Sequence, residues 1–309
     1  MSAAKPFALF TGFTKGVNNI DDPARLTLEE LSTGVDIDID DVGRPSRKKG
    51  FTLLRAGKYR WGWSDGVTCL AWRDGNFVSV APDFSSDTVL LSGLTDHRIV
   101  YVKAKDKIYF TNNHIFGYVQ NGAVFIPPSP TEPFKETMPP GNMIEYYQNR
   151  IWIIRGDAAW PSDALELNQR DTRMAPKSFP GRISLFKAVK DGIFIAHKFD
   201  APGITGKIYF AEITDPTELV PGGLKPLAFY NATPHCLASV DGALIQADKT
   251  IKGNIFFFAT EKGLCLGVDG GEFANYTIQR YAMPEGNQGS AFYRINHKGT
   301  AQMVMSIIQ

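Results

Sequence analysis

The sequence predicts an all-β fold, a β-propeller of about five blades that follows an N-terminal arm. Helical periodicity fades after Leu31, and short runs rich in Ile, Phe, Tyr, Val and Trp alternate with Gly, Asp, Asn and Pro turns. A cadence recurs in which a polar turn pair leads into an aromatic-aliphatic strand. It is seen at Gly75-Asn76-Phe77-Val78, Lys107-Ile108-Tyr109-Phe110, Asn149-Arg150-Ile151-Trp152, Asp191-Gly192-Ile193-Phe194 and Gly253-Asn254-Ile255-Phe256. The spacings between Asn76, Lys107, Arg150, Gly192 and Asn254 are 31, 43, 42 and 62 residues. A four-stranded blade takes about 40 to 50 residues, which these spacings bracket.

The arm covers residues 1–50 and the propeller residues 51–309. Within the arm, Gly16-Val17-Asn18-Asn19 precedes a helical-looking PARLTLEEL, Pro23 to Leu31. An acidic strand (Val35 to Ile39), a turn at Gly43 and a basic strand follow. The longer last interval contains Gly206-Lys207-Ile208-Tyr209-Phe210 as an extra insertion of the same kind, then Asp215 to Pro226 as a Pro/Gly loop. The C-terminal run Gln302 to Ile308 is expected to close the ring by pairing with the strand after Gly50, because an unclosed propeller leaves open edges. One blade cannot cover both its apolar faces, so several must pack radially. A pair of β-sandwiches is the rival architecture.

Composition narrows the function classes. A net charge of +1 provides no global attraction to polyanions, so any nucleic-acid contact would have to be local. Hydrophobic content of 43% with 12% aromatics is ample for a buried core. The three cysteines, Cys69, Cys236 and Cys265, are widely spaced and read as reduced thiols, with no spacing that suggests zinc. No secretion signal is evident in Met1 to Phe10, and the most apolar run, Ile255 to Ala259, is far shorter than a membrane helix. A soluble chain without a membrane anchor, assembled in a cytoplasm, is the expectation.

No constellation points to a reaction or a cofactor. Asp36, Asp38 and Asp40 alternate along one strand but fail as a calcium loop, with Asp41 where glycine is required and Arg47 where the closing glutamate belongs. Cross-strand pairing with Arg44, Arg47, Lys48 and Lys49 is the better reading. The five histidines, His97, His114, His197, His235 and His297, form no metal-ligand spacing, and no nucleophile or phosphate-loop signature is present. A glycosidase would need two carboxylates at the propeller axis. The candidates Asp106, Asp157, Asp191, Asp241 and Glu272 all sit where hairpin turns are expected. Trp61, Trp63, Trp72, Trp152 and Trp160 read mainly as wedges between blades, and Gly267 to Gly271 as a hairpin turn.

The arm carries one further signal. Gly16, Val17, Asn18, Asn19, Leu28, Val35, Asp36, Asp38, Gly43, Arg44, Arg47, Lys48 and Gly50 stand in an order that resembles the N-terminal signature of bacteriophage tail nozzle and tail hub β-propellers. Gly34 replaces the usual Asn. The run Tyr146 to Trp152 with Trp160-Pro161-Ser162, and the run Phe179 to Ile195, resemble later blades of the same family. The resemblance implies a non-enzymatic virion protein of the tail or head-tail connector, without cofactor or metal. It would form a ring of identical subunits, a hexamer, around a channel in weak passing contact with genomic DNA. It would also dock other tail, portal or adaptor proteins, with Asn18, Asn19, Asp36, Asp38, Arg44, Arg47 and Lys48 as candidate inter-subunit docking residues. The alternatives are a carbohydrate- or receptor-binding propeller, using exposed aromatics in loops such as Ala158 to Pro161, and a five-bladed glycoside hydrolase.

Overall fold

The computed structural model describes residues 15–35, 37–39, 44–47, 52–201, 203–241, 254–295 and 301–308. The described chain is β-structure joined by turns, with short 3-10 segments and no α-helix among the described residues. Five four-stranded antiparallel sheets follow one another along the sequence, each a meander of sequential strands, which is the blade architecture of a β-propeller.

Blade 1 comprises Tyr59–Ser64, Cys69–Arg73, Asn76–Val80 and Asp87–Leu91. Blade 2 comprises Val100–Ala104, Lys107–Thr111, Phe116–Gln120 and Ala123–Phe125. Blade 3 comprises Met143–Tyr147, Arg150–Arg155, Ala158–Pro161 and Lys177–Ser178, with an added ribbon of Lys135–Thr137 and Gln169–Asp171. Blade 4 comprises Arg182–Ala188, Ile193–Lys198, Lys207–Ala211 and Pro226–Ala228. Blade 5 comprises Ala232–Asp241, Asn254–Thr260, Gly263–Val268 and Phe273–Asn275.

Two of the cadence turns, Asp74-Gly75 and Gln148-Asn149, have positive φ at both positions, the geometry of a two-residue turn whose twist matches the flanking strands; Asn121-Gly122 makes the same turn ahead of the edge strand of blade 2. Such turns select Gly and Asn, and a β-rich strand follows each. The cadence marks the second strand of blades 2 to 5 but the third strand of blade 1, so its first spacing is short. Lys207–Ala211 is not an insertion, contrary to expectation. It is the third strand of blade 4, with Ile208 opposite Ala196 and Tyr209 opposite Ile195.

The chain divides into two compact units, one of residues 52–235 and 268–272, the other of residues 1–51, 236–267 and 273–309. In the first unit, consecutive blades pack face to face through separate apolar layers. Leu70, Trp72 and Phe77 of blade 1 meet Ile108, Phe110 and Val119 of blade 2. Tyr109 and Phe116 of blade 2 meet Ile144, Ile151 and Ile153 of blade 3. Trp152 and Ile154 of blade 3 meet Ile183, Phe186, Ile193 and Ile195 of blade 4. The Phe77 and Phe110 rings, 4.7 Å apart between centroids and tilted by 47°, illustrate the tilted aromatic contact these layers favour. Trp72 and Trp152 are buried and Trp61, Trp63 and Trp160 half-buried against the same layers, as wedges between blades should be. Ala158–Pro161, expected as an exposed loop, is instead a blade 3 strand whose Trp160 lies under the Arg170 guanidinium.

In the second unit, Cys236, Ala259 and Met283 form a buried core with Ala291, Met305 and Ile307 packed on it. The C-terminal strand Ala301–Ile308 pairs along its whole length with Gln288–Ile295, a hairpin where closure with the strand after Gly50 was expected. Adjacent strands joined by a short connection close at less entropic cost than distant ones.

The expected helix from Pro23 to Leu31 also forms differently. Only Pro23–Arg25 is helical, as a 3-10 turn capped by Asp22. The Glu30 carboxylate accepts hydrogen bonds from the Thr27 N–H and hydroxyl, and Glu30–Leu31 pairs in parallel with Gly16–Val17. These tertiary bonds outweigh a helix propensity of a few tenths of a kcal/mol per residue. The two strands of the expected acidic-basic pair do meet: Ile37–Ile39 pairs with Pro45–Arg47, but the register sets Ile37 opposite Arg47 and Asp38 opposite Ser46, so the described pairs do not oppose an acid to a base.

Candidate functional site

Two places gather polar chemistry, the folded part of the arm and a cleft between blades 1 and 2. In the arm, Asn18 is buried and organises the first turn. Its side-chain amide donates to Asp21 Oδ2 (2.9 Å) and Glu30 Oε1 (3.2 Å), while its Oδ1 accepts from the Ile20 and Asp21 N–H groups. The Thr27 backbone, the Asn18 amide and the Thr27 hydroxyl together hold the Glu30 carboxyl below the usual range. Asn19 turns toward the end of the chain, where its side chain both donates to and accepts from the Ala282 backbone.

The docking candidates lie in distinct environments. Asn18 and Asn19 bond within their own chain; Arg44 precedes the Pro45–Arg47 strand and Arg47 ends it, both with exposed side chains. Asp38 is placed by its backbone pairing with Ser46. Asp36 and Lys48, with Asp40 and Lys49, lie outside the described residues.

The cleft has a volume of about 450 Å³. Turns 65–68 and 81–86 of blade 1 and turns 105–106 and 121–122 of blade 2 surround it, over a floor that includes Cys69, Val80, Ile108 and Val119. Asp65 is its best-held acid. It accepts from Lys103 Nζ (2.6 Å) and from the Val67 and Thr68 N–H groups, and these bonds, led by that of Lys103, hold its carboxyl far below the usual range. Asp106 accepts from the Gln120 amide. Asp87 is shielded, and burial alone would raise its pKa. The Tyr59 hydroxyl and the Arg55 and Arg73 guanidinium groups outweigh that and keep it ionised. Each acid in the cleft thus has cationic or amide partners, and Thr68, Ser79, Ser86 and Thr88 add hydroxyls. This lining suits a polar chain segment or a neutral polyol better than a reaction needing an uncommitted base.

Sequence reasoning missed the cleft. Asp65 and Lys103 are 38 residues apart, and only the packing of blade 2 against blade 1 brings them together. No local motif could have signalled it. Four of the five glycosidase candidates sit in or beside turns. Asp106, Asp157 and Asp191 each lie between strands of a different blade, and Glu272 precedes the last strand of blade 5. Asp191 is already bonded to the Gly270 N–H. Asp241 ends the first strand of blade 5. Among the described residues no group of three or more His, Cys, Asp or Glu could hold a metal ion, and no helix is long and apolar enough to cross a membrane.

No protein-family model matches the chain, and no curated protein matches it. Among solved structures, the chain is similar to the N-terminal domain of Nup159, at 9% identity over 81% of this chain and 76% of that one, with a TM-score of 0.44. It is similar to the WD40 β-propeller domain of Doa1 at 12% identity, covering 80% and 76% of the two chains, with a TM-score of 0.43. A gluconolactonase from Xanthomonas campestris has 9% identity over 81% and 83%, again with a TM-score of 0.43. The fold itself rests on the five sheets described above.

Proposed function

We propose that this chain is a structural protein of a bacteriophage virion, a tail nozzle, hub or head-tail connector subunit that acts mechanically and not as an enzyme. The observation that carries the reading is the ordered arm signature from Gly16 to Gly50 ahead of a run of β-blades. Signature residues have structural work in this fold: Asn18 builds the first turn, and the strands around Gly43 pair with each other. The exposed Arg47 offers a cation to an acidic surface on a neighbouring subunit.

In this reading six identical subunits form a ring through heterologous contacts, each giving one face and receiving another. The ring continues the DNA channel and docks neighbouring tail, portal or adaptor proteins, after assembly in the host cytoplasm. A conduit must let the genome pass, and neutralising many phosphates would produce strong, salt-dependent adhesion. A net charge of +1 is compatible with weak passing contact.

The test is to purify phage particles whose genome encodes this chain and to look for it by mass spectrometry and electron microscopy. The chain should be found as a ring in the tail. Arg47→Glu should leave a folded subunit that enters few particles. Particles lacking the native chain altogether would end the reading.

The polar cleft supports a second reading, that of a carbohydrate- or receptor-binding propeller. It predicts selective binding on a glycan array that is lost in Lys103→Ala, and an array without hits would remove it.

A further inference from the structure

Two histidines that the sequence keeps apart meet at one end of blade 2. His97 lies in the link between blades 1 and 2, and His114 in the turn between the second and third strands of blade 2. Val100 pairs with Thr111 across antiparallel strands, so the link entering the first strand and the turn leaving the second emerge at the same end of the sheet. There the two Nε2 atoms stand 3.3 Å apart, with ring centroids 4.3 Å apart and ring planes at 70°. Both side chains are exposed.

The pair is supported from beneath. Asn112 is buried, and its Oδ1 accepts from the His114 N–H (3.2 Å) and the Ile115 N–H (3.0 Å). The Asn113 N–H donates to the Gly141 carbonyl at 2.9 Å, fixing the other side of the turn. On the opposite loop, the Leu94 N–H donates to Gly75 O and the His97 N–H to Thr95 O. The rings thus project from two braced backbones.

Two neutral imidazoles can share one hydrogen bond at this distance, with one ring carrying the proton on Nε2. The same separation is also the span of two ligands on a tetrahedral ion. Metal-nitrogen bonds of about 2.0–2.1 Å at a tetrahedral angle place the nitrogens about 3.3 Å apart. We propose that His97 and His114 form a two-imidazole binding site for a divalent transition-metal ion of the Zn²⁺, Ni²⁺ and Cu²⁺ class. Imidazole nitrogen suits these ions, and an exposed pair leaves an open path and free positions for water or a ligand donor. The neighbouring acid, Asp96, is held by Arg60 through both its oxygens and is not a third ligand. A bound ion would tie the blade 1–blade 2 link to the blade 2 turn, and it would stabilise the fold by mass action.

Among the described residues, His197 is buried against Tyr209, Cys236 and Cys265 are buried, and His235 and Cys69 are half-buried. The test uses the full chain, titrated calorimetrically with ZnCl₂ and NiCl₂, alongside His97→Gln, His114→Gln and the double variant. One equivalent should bind, and each single change should weaken binding at least about tenfold, since loss of mere supporting contacts already costs about 10- to 100-fold. The metal-free melting temperature of the variants should match the parent, because both rings are exposed. Cu²⁺ paramagnetic resonance on the unaltered chain gives an independent reading, with two equatorial nitrogens expected. No binding by the parent chain, unchanged binding in the double variant, or a copper spectrum without two nitrogens would each overturn the site.

Discussion

Asn19 and Ala282 exchange two hydrogen bonds. The asparagine amide donates to the alanine carbonyl at 3.1 Å, and its carbonyl accepts from the alanine N–H at 2.9 Å. A side chain here copies one rung of a β-ladder across 263 residues. Beside it the Asn19 N–H donates to Arg280 O, and the Arg280 guanidinium returns to Lys15 O. The arm is thereby fastened to the later part of its own unit. Replacing Asn19 with Ala should lower that unit's stability by about 1 kcal/mol, each exposed bond being worth little more than half of that. Asn19→Asp keeps the acceptor and loses the donor, so it should cost an amount of the same order. Urea unfolding of the three proteins checks both values, and equal midpoints would mean the rung contributes nothing.

Glu145 and Lys187 sit on the first strands of blades 3 and 4 and meet at 2.9 Å with little exposure. Removing only the cation, as in Lys187→Met, leaves a shielded carboxylate without its partner and should destabilise by about 2–3 kcal/mol. Adding Glu145→Leu should recover most of the loss. A double-mutant cycle by chemical denaturation measures the coupling.

His235 gives the fold a pH dependence. Burial, reinforced by the Arg98 and Arg182 guanidinium groups, lowers its pKa to about 3, whereas the unfolded chain takes up a proton near 6.5. The stability tied to the neutral ring is complete above pH 6.5 and declines as pH falls toward 3. The slope approaches about 1.4 kcal/mol per pH unit, one proton's worth. His235→Asn should flatten that part of the profile, as followed by unfolding at pH 7, 5.5 and 4. Parallel profiles for the two proteins would refute the assignment.

Phe110 is fully buried where blades 1 and 2 meet. Phe110→Ala should cost about 3–5 kcal/mol through lost burial and the cavity left behind. Phe125→Ala, at an exposed edge position of the same blade, should cost far less. Thermal melts of the pair separate packing between blades from local propensity.

The blades were legible because they repeat a local rule. Asp74-Gly75 and Gln148-Asn149 need backbone conformations that few residues accept, and the strands after them are largely buried and rich in apolar residues. The role of Lys207–Ala211 was hidden, because a third strand and an inserted strand have the same composition. The arm misled in one place. Leucines at Leu26, Leu28 and Leu31 hint at a helix, but Glu30 is drawn to Thr27 and Asn18 instead. The Asp65–Lys103 pair and the His97–His114 pair could not be read from spacing, because strand register and blade packing create them.

The turn at residues 268–272 reaches back onto blade 4. Asp269 accepts from the Lys190 N–H and Asp191 from the Gly270 N–H, while the Phe210 ring lies against Gly192 and Gly271 so closely that a methyl group on either glycine would strike it. On the ribosome, about sixty residues must still be added after Phe210 is made before Gly271 appears. Until then the ring is packed by Gly192 and Phe194, so a nascent chain halted short of Gly271 leaves the side that Gly271 covers open to chaperones and proteases.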